Sequence, residues 1–305
     1  MRLPRLLTAC CVALLLAGSA HAQEGRDTSD VAFRVQMPDS VVVTASRAAS
    51  AAKETGRRVT VYTQRDIEAL SVTSIDQLLN RVGGLDVQSR GGFGVQGDLT
   101  LRGSTFNGVL LLLDGARIND PMTGHFLMDL PVPLSEIARV EVLRGPATAL
   151  YGPDALGGVV QLITKTGLRS GTMSDTGLSA TAEGRYGNNN LYDAGGSVRN
   201  VGEKTTLSAA ATFQGSDGQT VRIDTTQTGT GELVSIPDGR GGNVRSDFQR
   251  RAGTAALSHR LENATLYARA GIDDRDFSAW HYYTASPLDK ARESTSTFWT
   301  QLRAV

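Results

Sequence analysis

Cysteine is nearly missing from this chain of 305 residues: the two present, Cys10 and Cys11, both lie in the first apolar stretch. With that stretch removed, no disulfide, thiol nucleophile or thiolate metal site remains. Histidine is as sparse. Outside the leader, His125, His259 and His281 are far apart and lack metal-ligand spacing. Net charge is absent too. The 31 basic and 31 acidic side chains cancel, so no global electrostatic case for nucleic acid exists. After the N-terminus there is no long apolar run. The most apolar stretch, Val109 to Leu113, ends at Asp114-Gly115, well short of a membrane helix. Gly18-Ser19 and Gly103-Ser104 lack the G-x-S-x-G context of a hydrolase nucleophile, and no acid–base pair stands out, so no enzyme is expected.

What the chain does have begins with a leader. Arg2 and Arg5 precede the apolar run Leu6 to Ala17, and Ala20-His21-Ala22 is a small-x-small cleavage site. This reads as a secretory signal peptide over 1–22 with Gln23 as the mature start. Without Arg2 and Arg5 the net charge is −2. An exported chain without membrane helices is periplasmic, secreted or an outer-membrane barrel. Glycine is abundant, at 34 residues, about 11% against a usual ~7%.

Two textures follow. Residues 39–167 read as mixed α/β, with strands at Val41 to Val43, Arg58 to Tyr62, Leu85 to Gln88, Val109 to Leu113, Ala116 to Ile118, Val140 to Leu143 and Val159 to Ile163. Ser74 is placed to cap a helix through Ile75, Leu78, Leu79 and Val82 that closes at Gly83-Gly84. Asp114-Gly115 is a two-residue hairpin signal. From about residue 176 the period becomes two. Strands are expected at 177–187, 190–201, 204–214, 248–260, 264–274 and 295–305, with charged residues such as Glu183, Arg185 and Arg269 on the second face. A transmembrane β-barrel and a soluble β-sandwich both alternate in this way. Connection lengths carry more information. The joins at 188–189, 202–203 and 261–263 are short and those at 215–247 and 275–294 long, the parity of periplasmic turns and extracellular loops. Six strands are fewer than the roughly eight of the smallest barrels. The chain ends in mid-strand at Ala304-Val305, so truncation at the C-terminus is expected. Gly92-Phe-Gly94-Val-Gln-Gly97 matches G-x-G-x-x-G, but a strand-like segment follows instead of a helix, which argues against a nucleotide site.

An ordered set of motifs then points to a family. Leu101-Arg102-Gly103, Leu113-Asp114-Gly115, Val140-Glu-Val-Leu-Arg144-Gly145-Pro146, Tyr151-Gly152 and Ala155-Leu-Gly-Gly-Val159-Val160 follow Asp39-Ser-Val-Val-Val-Thr-Ala45. In order and spacing the chain resembles TonB-dependent outer-membrane receptors, whose plug domain sits inside a barrel of about 22 strands. The resemblance implies a mixed α/β plug at 46–167, followed by the first strands of an antiparallel transmembrane barrel at 176–305, incomplete here. It implies a periplasmic linker at 23–38 and a TonB box of Asp39, Ser40, Val41, Val42, Val43, Thr44 and Ala45, a β-branched segment able to add to a partner's sheet edge. The linker is too short for an added signalling domain. Arg102 and Arg144 correspond to plug arginines that pair with barrel acids.

The implied function is binding of a large scarce ligand outside the cell and its import with TonB, the inner-membrane energising complex and the proton-motive force. Partners are therefore TonB, a small-molecule chelate and outer-membrane lipid, with no nucleic acid. Gly91 to Gly94 before Leu101, the Asp114 to Asn119 hairpin and Tyr282 to Asp289 look most like the cobalamin receptor subgroup. Ferric siderophore receptors share nearly all the plug motifs and are the alternative, and a non-transporting truncated fragment is another. Ligand contacts are expected from Gly92, Phe93, Gly94, Gln96, Asn119, Asp120, His125 and Phe126. No cofactor is implied. Some cobalamin receptors order a loop with calcium, for which Asp217, Asp224, Asp238 and Asp247 are the candidates; their spacing departs from any compact motif and reads first as solvated loop acids.

Overall fold

The computed structural model describes residues 42–43, 50–51, 59–89, 95–119, 128, 130–167, 176–223, 225–227, 233–235, 242–279 and 290–304. The leader, the linker and most of the 39–45 segment lie outside them.

The α/β domain opens with β1 (Val42–Val43) paired to β2 (Ser50–Ala51). β3 (Val59–Thr63) runs directly into α1 (Gln64–Ala69), a helix absent from the hydropathy reading. Its signal is local. The N–H of Thr63 donates to Asp66 Oδ2 at 2.8 Å while the Asp66 N–H returns to Thr63 Oγ1 at 3.4 Å, a capping box. α2 (Ile75–Asn80) stops short of Val82, which is nonetheless buried. Ser74 holds the N-cap position with extended backbone, but its hydroxyl makes no cap bond; Thr73 and Gln77 close that end instead, N–H to Oε1 at 3.0 Å.

β4 (Leu85–Ser89) and β5 (Gly97–Leu101) form a separate antiparallel ribbon. The glycine-rich segment thus does lead into a strand. β6 (Val109–Leu113) turns through Asp114 and Gly115 into β7 (Ala116–Arg117). Both turn residues have positive φ, +48° and +85°, as a two-residue hairpin of matching twist requires. β8 (Ile137–Arg144), the single helical turn α3 (Thr148–Tyr151) and β9 (Gly158–Thr164) complete the domain. The sheet runs β3-β8-β9-β6-β7, with β6 and β9 parallel and the other pairs antiparallel. Leu111, Leu113, Val140, Val142, Val160 and Leu162 share a core with Leu78 and Leu79 of α2. Burying such a side chain contributes about 1.5–3 kcal/mol.

The second part is a six-stranded antiparallel sheet in which sequence order is spatial order. It begins with β10 (Gly177–Gly187), β11 (Leu191–Val201) and β12 (Thr205–Ser216). The long join from β12 holds four short strands of its own. β13 (Thr220–Ile223) pairs with β16 (Gly242–Arg245), and β14 (Thr225–Gln227) with β15 (Leu233–Ser235). β17 (Phe248–Arg260), β18 (Thr265–Ser278) and β19 (Arg292–Ala304) complete the sheet. The period of two shows in the burial of β11, β12, β17, β18 and β19; β10, the edge strand, is exposed along nearly all of its length. On β18, Tyr267, Arg269, Asp273, Arg275 and Phe277 are buried while Leu266 and Ile272 are exposed. Phe298 and Leu302 of β19 are 76% and 85% exposed on the outer face. Charged groups inside and large apolar groups outside is the arrangement of a membrane barrel wall and the reverse of a soluble sandwich.

Candidate functional site

The buried charges of the sheet's inner face meet the α/β domain at two levels. The first centres on Asp114, in the β6–β7 hairpin. Its Oδ1 accepts the Thr164 N–H at 2.8 Å, and its Oδ2 accepts the Thr164 hydroxyl at 2.8 Å and the Tyr267 hydroxyl at 2.6 Å. Arg269 lies 3.5 Å from the same oxygen, both side chains fully buried, and donates to Tyr267 Oη at 2.7 Å and Thr164 Oγ1 at 2.6 Å. The main-chain oxygen of Asp114 accepts from Gln301 at 3.1 Å and Arg303 at 2.6 Å. Arg303 also sits 5.1 Å from the Tyr267 ring centroid, within cation–π range. One hairpin residue is therefore held by two barrel-type strands and by β9. Gly167 must be glycine here, because a Cβ would overlap the Asp114 carboxylate.

The second level is a row of cross-strand neighbours: Arg185, Asp193, Gln214, Arg250 and Arg275. Arg185 bonds Asp193 at 2.5 Å, Gln214 bonds Asp193 at 3.0 Å, and Arg250 reaches Gln214 at 3.4 Å. Asp273 joins Arg250 to Arg275, at 2.6 Å to each. The two arginines then leave the wall. Arg250 donates to the Leu130 carbonyl at 2.9 Å, and Arg275 donates to those of Val95, at 2.9 Å, and Met128. Beside them Val95 packs under Phe248, Phe277 and Ala279.

The expected site residues fall unevenly. Arg144 bonds Thr60 Oγ1 and, at 2.6 Å, the Gly83 carbonyl. Arg102 is exposed on a left-handed turn, φ +53°. Among the described contacts, guanidinium groups of the strand wall cross between the two parts, and their long side chains reach main-chain carbonyls. Asn119 is engaged locally: its Oδ1 accepts the Leu111 N–H at 2.8 Å and its Nδ2 donates to the Val109 carbonyl at 2.9 Å. Gln96 is buried, 1% exposed. Gly92, Phe93, Gly94, Asp120, His125 and Phe126 lie outside the described residues, as do Asp39, Ser40, Val41, Thr44 and Ala45; Val42 and Val43 form β1.

Of the loop acids, Asp217 accepts from Asn190 at 2.5 Å, and Asp224 and Asp238 lie outside the described residues. Asp247 is the foot of the long join. Ser278 donates to it at 2.6 Å, Arg292 at 2.9 Å, and Arg245 stands 3.3 Å away. Burial pushes its carboxyl pKa up, but the Ser278 hydroxyl and the Arg292 and Arg245 guanidinium groups outweigh this and hold it below the usual carboxylate value. Among the described residues no group of three or more His, Cys, Asp or Glu side chains converges to hold a metal ion.

Sequence marked Asp114 as a hairpin and motif residue without giving it a partner in the wall, and it did not single out the Arg250–Asp273–Arg275 set. The available signal was charge on the polar face of alternating strands, which marked Arg269 as lumen-facing without naming its partner.

An α/β domain seated through a buried ion pair and buried arginine–carbonyl hydrogen bonds on the charged inner face of an apolar-faced strand wall is a plugged-barrel architecture. Residues 51–159 match the TonB-dependent receptor plug domain family. The fold is thus a plug domain followed by the antiparallel strands of a partial barrel. Three solved structures share it. A ferric enterobactin receptor mutant from Pseudomonas aeruginosa aligns with TM-score 0.57 and 18% identity over 87% of this chain and 40% of its own. The ferripyoverdine receptor of the outer membrane of Pseudomonas aeruginosa, bound to ferripyoverdine, gives 0.55 and 17% over 78% and 28%. The copper transporter OprC gives 0.50 and 19% over 72% and 30%. The chain spans about two-fifths or less of the length of these receptors.

Proposed function

We propose that this chain is the plug and first barrel segment of a TonB-dependent outer-membrane receptor, which binds a metal chelate outside the cell and imports it without enzymatic chemistry. The observation that carries the reading is the seating of the plug on barrel strands through the Asp114–Arg269 pair and through the hydrogen bonds of Arg250 and Arg275 to plug carbonyls. A plug held by contacts of this kind can be displaced by a directed pull and can reseat. The segment Asp39 to Ala45 is the point of that pull by TonB in the periplasm, after export with the leader 1–22 removed. Ligand binding outside need only shift this segment between docked and released states.

For the ligand, a ferric siderophore is the reading favoured by the structures that share the fold, two of which are named for ferric siderophores. The corrinoid reading rests on the sequence resemblance of the Asp114 to Asn119 hairpin and of Gly91 to Gly94, and none of the three structures above is named for cobalamin. The test uses the full-length receptor in outer membranes with ferric enterobactin, ferripyoverdine and cyanocobalamin. Deleting Asp39 to Ala45 should abolish uptake of whichever chelate binds while leaving surface binding intact. Undiminished uptake by the deletion would remove the coupling role, and binding of cyanocobalamin alone would return the corrinoid reading.

A further inference from the structure

The Arg250–Asp273–Arg275 set does more than line the barrel wall. It lies toward the end of the sheet that carries the long joins, near the start of β17 (Phe248–Arg260) and the close of β18 (Thr265–Ser278). Arg275 is 2% exposed and Asp273 1%. Asp273 is bonded by both guanidinium groups, which fixes their planes, and each plane is aimed inward at backbone. The three acceptors, Val95, Met128 and Leu130, belong to two separate stretches of the plug. Val95 leads into β5, and Met128 and Leu130 lead toward β8. One carboxylate on the wall therefore sets the position of two plug crossings at once. Carbonyl acceptors place no demand on plug side chains, so this grip is independent of plug sequence at those positions. Gln214, Asp193 and Arg185 brace it across three further strands.

We propose that Arg250, Asp273 and Arg275 are positioning residues: a clamp that holds the outward edge of the plug in register with the barrel wall and thereby sets chelate affinity without touching the chelate. The affinity part rests on the import reading above; the clamp itself does not. These 305 residues hold no cysteine after Cys11, so in a full-length receptor freed of any other cysteine one placed at Val95 is a clean reporter. Val95 is 1% exposed beneath Phe248 and Phe277. In the full-length receptor on intact cells, Val95→Cys should resist a membrane-impermeant maleimide. Adding Asp273→Asn or Arg275→Met should raise its labelling rate about tenfold or more. Arg275→Lys, which keeps the charge but cannot fork between two carbonyls and a carboxylate, should fall between and serves if the Met variant fails to assemble. Leu99→Cys, in the plug core, should stay unlabelled throughout. Without a reporter cysteine, the same substitutions should raise the half-saturating concentration for ferric enterobactin or cyanocobalamin uptake about tenfold while the maximal rate is retained. Labelling of Val95→Cys within twofold of the parent overturns the proposal. So does labelling of Leu99→Cys to the same extent, or an unchanged half-saturating concentration. If the parent receptor takes up neither probe, the import reading fails for those ligands and the labelling comparison alone decides the clamp.

Discussion

Asp114 shows how much one residue can gather. Its left-handed backbone makes the β6–β7 turn, its carboxylate binds Thr164, Tyr267 and Arg269, and its carbonyl binds Gln301 and Arg303. Every partner is a donor, so an amide placed there would turn an N–H toward donors and leave Arg269 buried beside a neutral group. Asp114→Asn should destabilise plug seating by about 3–5 kcal/mol, the cost of breaking a buried ion pair from one side. The check is the temperature at which the plug becomes protease-sensitive, and Asp114→Asn with Arg269→Met should cost less than the sum of the single changes. Asp247 gives a pH test. Its pKa in the folded protein lies below the ordinary value of 3.8. The foot of the long join is therefore fully stabilised above that value and loses stability as the pH falls through the lower folded value. Pepsin cleavage within 217–247, corrected for enzyme activity, should rise from pH 4.5 to pH 2.5 in the parent. In Asp247→Asn it should be elevated and nearly flat.

At the scale of elements, all six long strands were legible, though β18 (Thr265–Ser278) runs past the expected 264–274 and β19 (Arg292–Ala304) starts before the expected 295–305. The expected 177–187, 248–260 and 190–201 compare with Gly177–Gly187, Phe248–Arg260 and Leu191–Val201. A barrel wall has lipid on one face and a polar lumen on the other, so the sequence alternates and the strand cannot slip by one residue without exchanging its faces. Where the environment is less uniform the reading weakened. α1 was missed because its six residues bury one side chain, Ile67, too few for a 3.6 period to show. β13 to β16 were hidden in a polar join. Contact between elements was not legible at all. Gly271 on β18 faces Pro131 of the plug so closely that a Cβ would stand 2.6 Å from the proline Cβ. Gly271→Val should cost about 1–3 kcal/mol of overpacking and lower the temperature of plug release. Gly253→Val, where a Cβ meets nothing nearer than 3.8 Å, should leave it unchanged.

For the molecule as a whole, the ligand question turns on a segment proposed from sequence. His125 and Phe126 would offer an imidazole and a ring there, and Pro121 and Gly124 predict a loop. Replacing both with Ala in the full-length receptor should weaken chelate binding by about 1–3 kcal/mol, a ring contact and a hydrogen bond. The plug should still fold, since Val109 to Leu113 and Val159 to Ile163 are buried without them; equal Kd values for parent and double variant would place the pocket elsewhere. By itself the sequence determined the two textures, the strand periods, the hairpin at Asp114 and the order of the plug motifs. These are local properties, set by side-chain alternation and backbone preference within a few residues. Only the tertiary structure decided that Arg250, Arg269, Arg275 and Arg303 of the wall cross to the plug. Their acceptors include main-chain carbonyls 120 to 189 residues away, and a carbonyl is the same atom at every position in the chain, so nothing in the one-dimensional pattern marks which will be used.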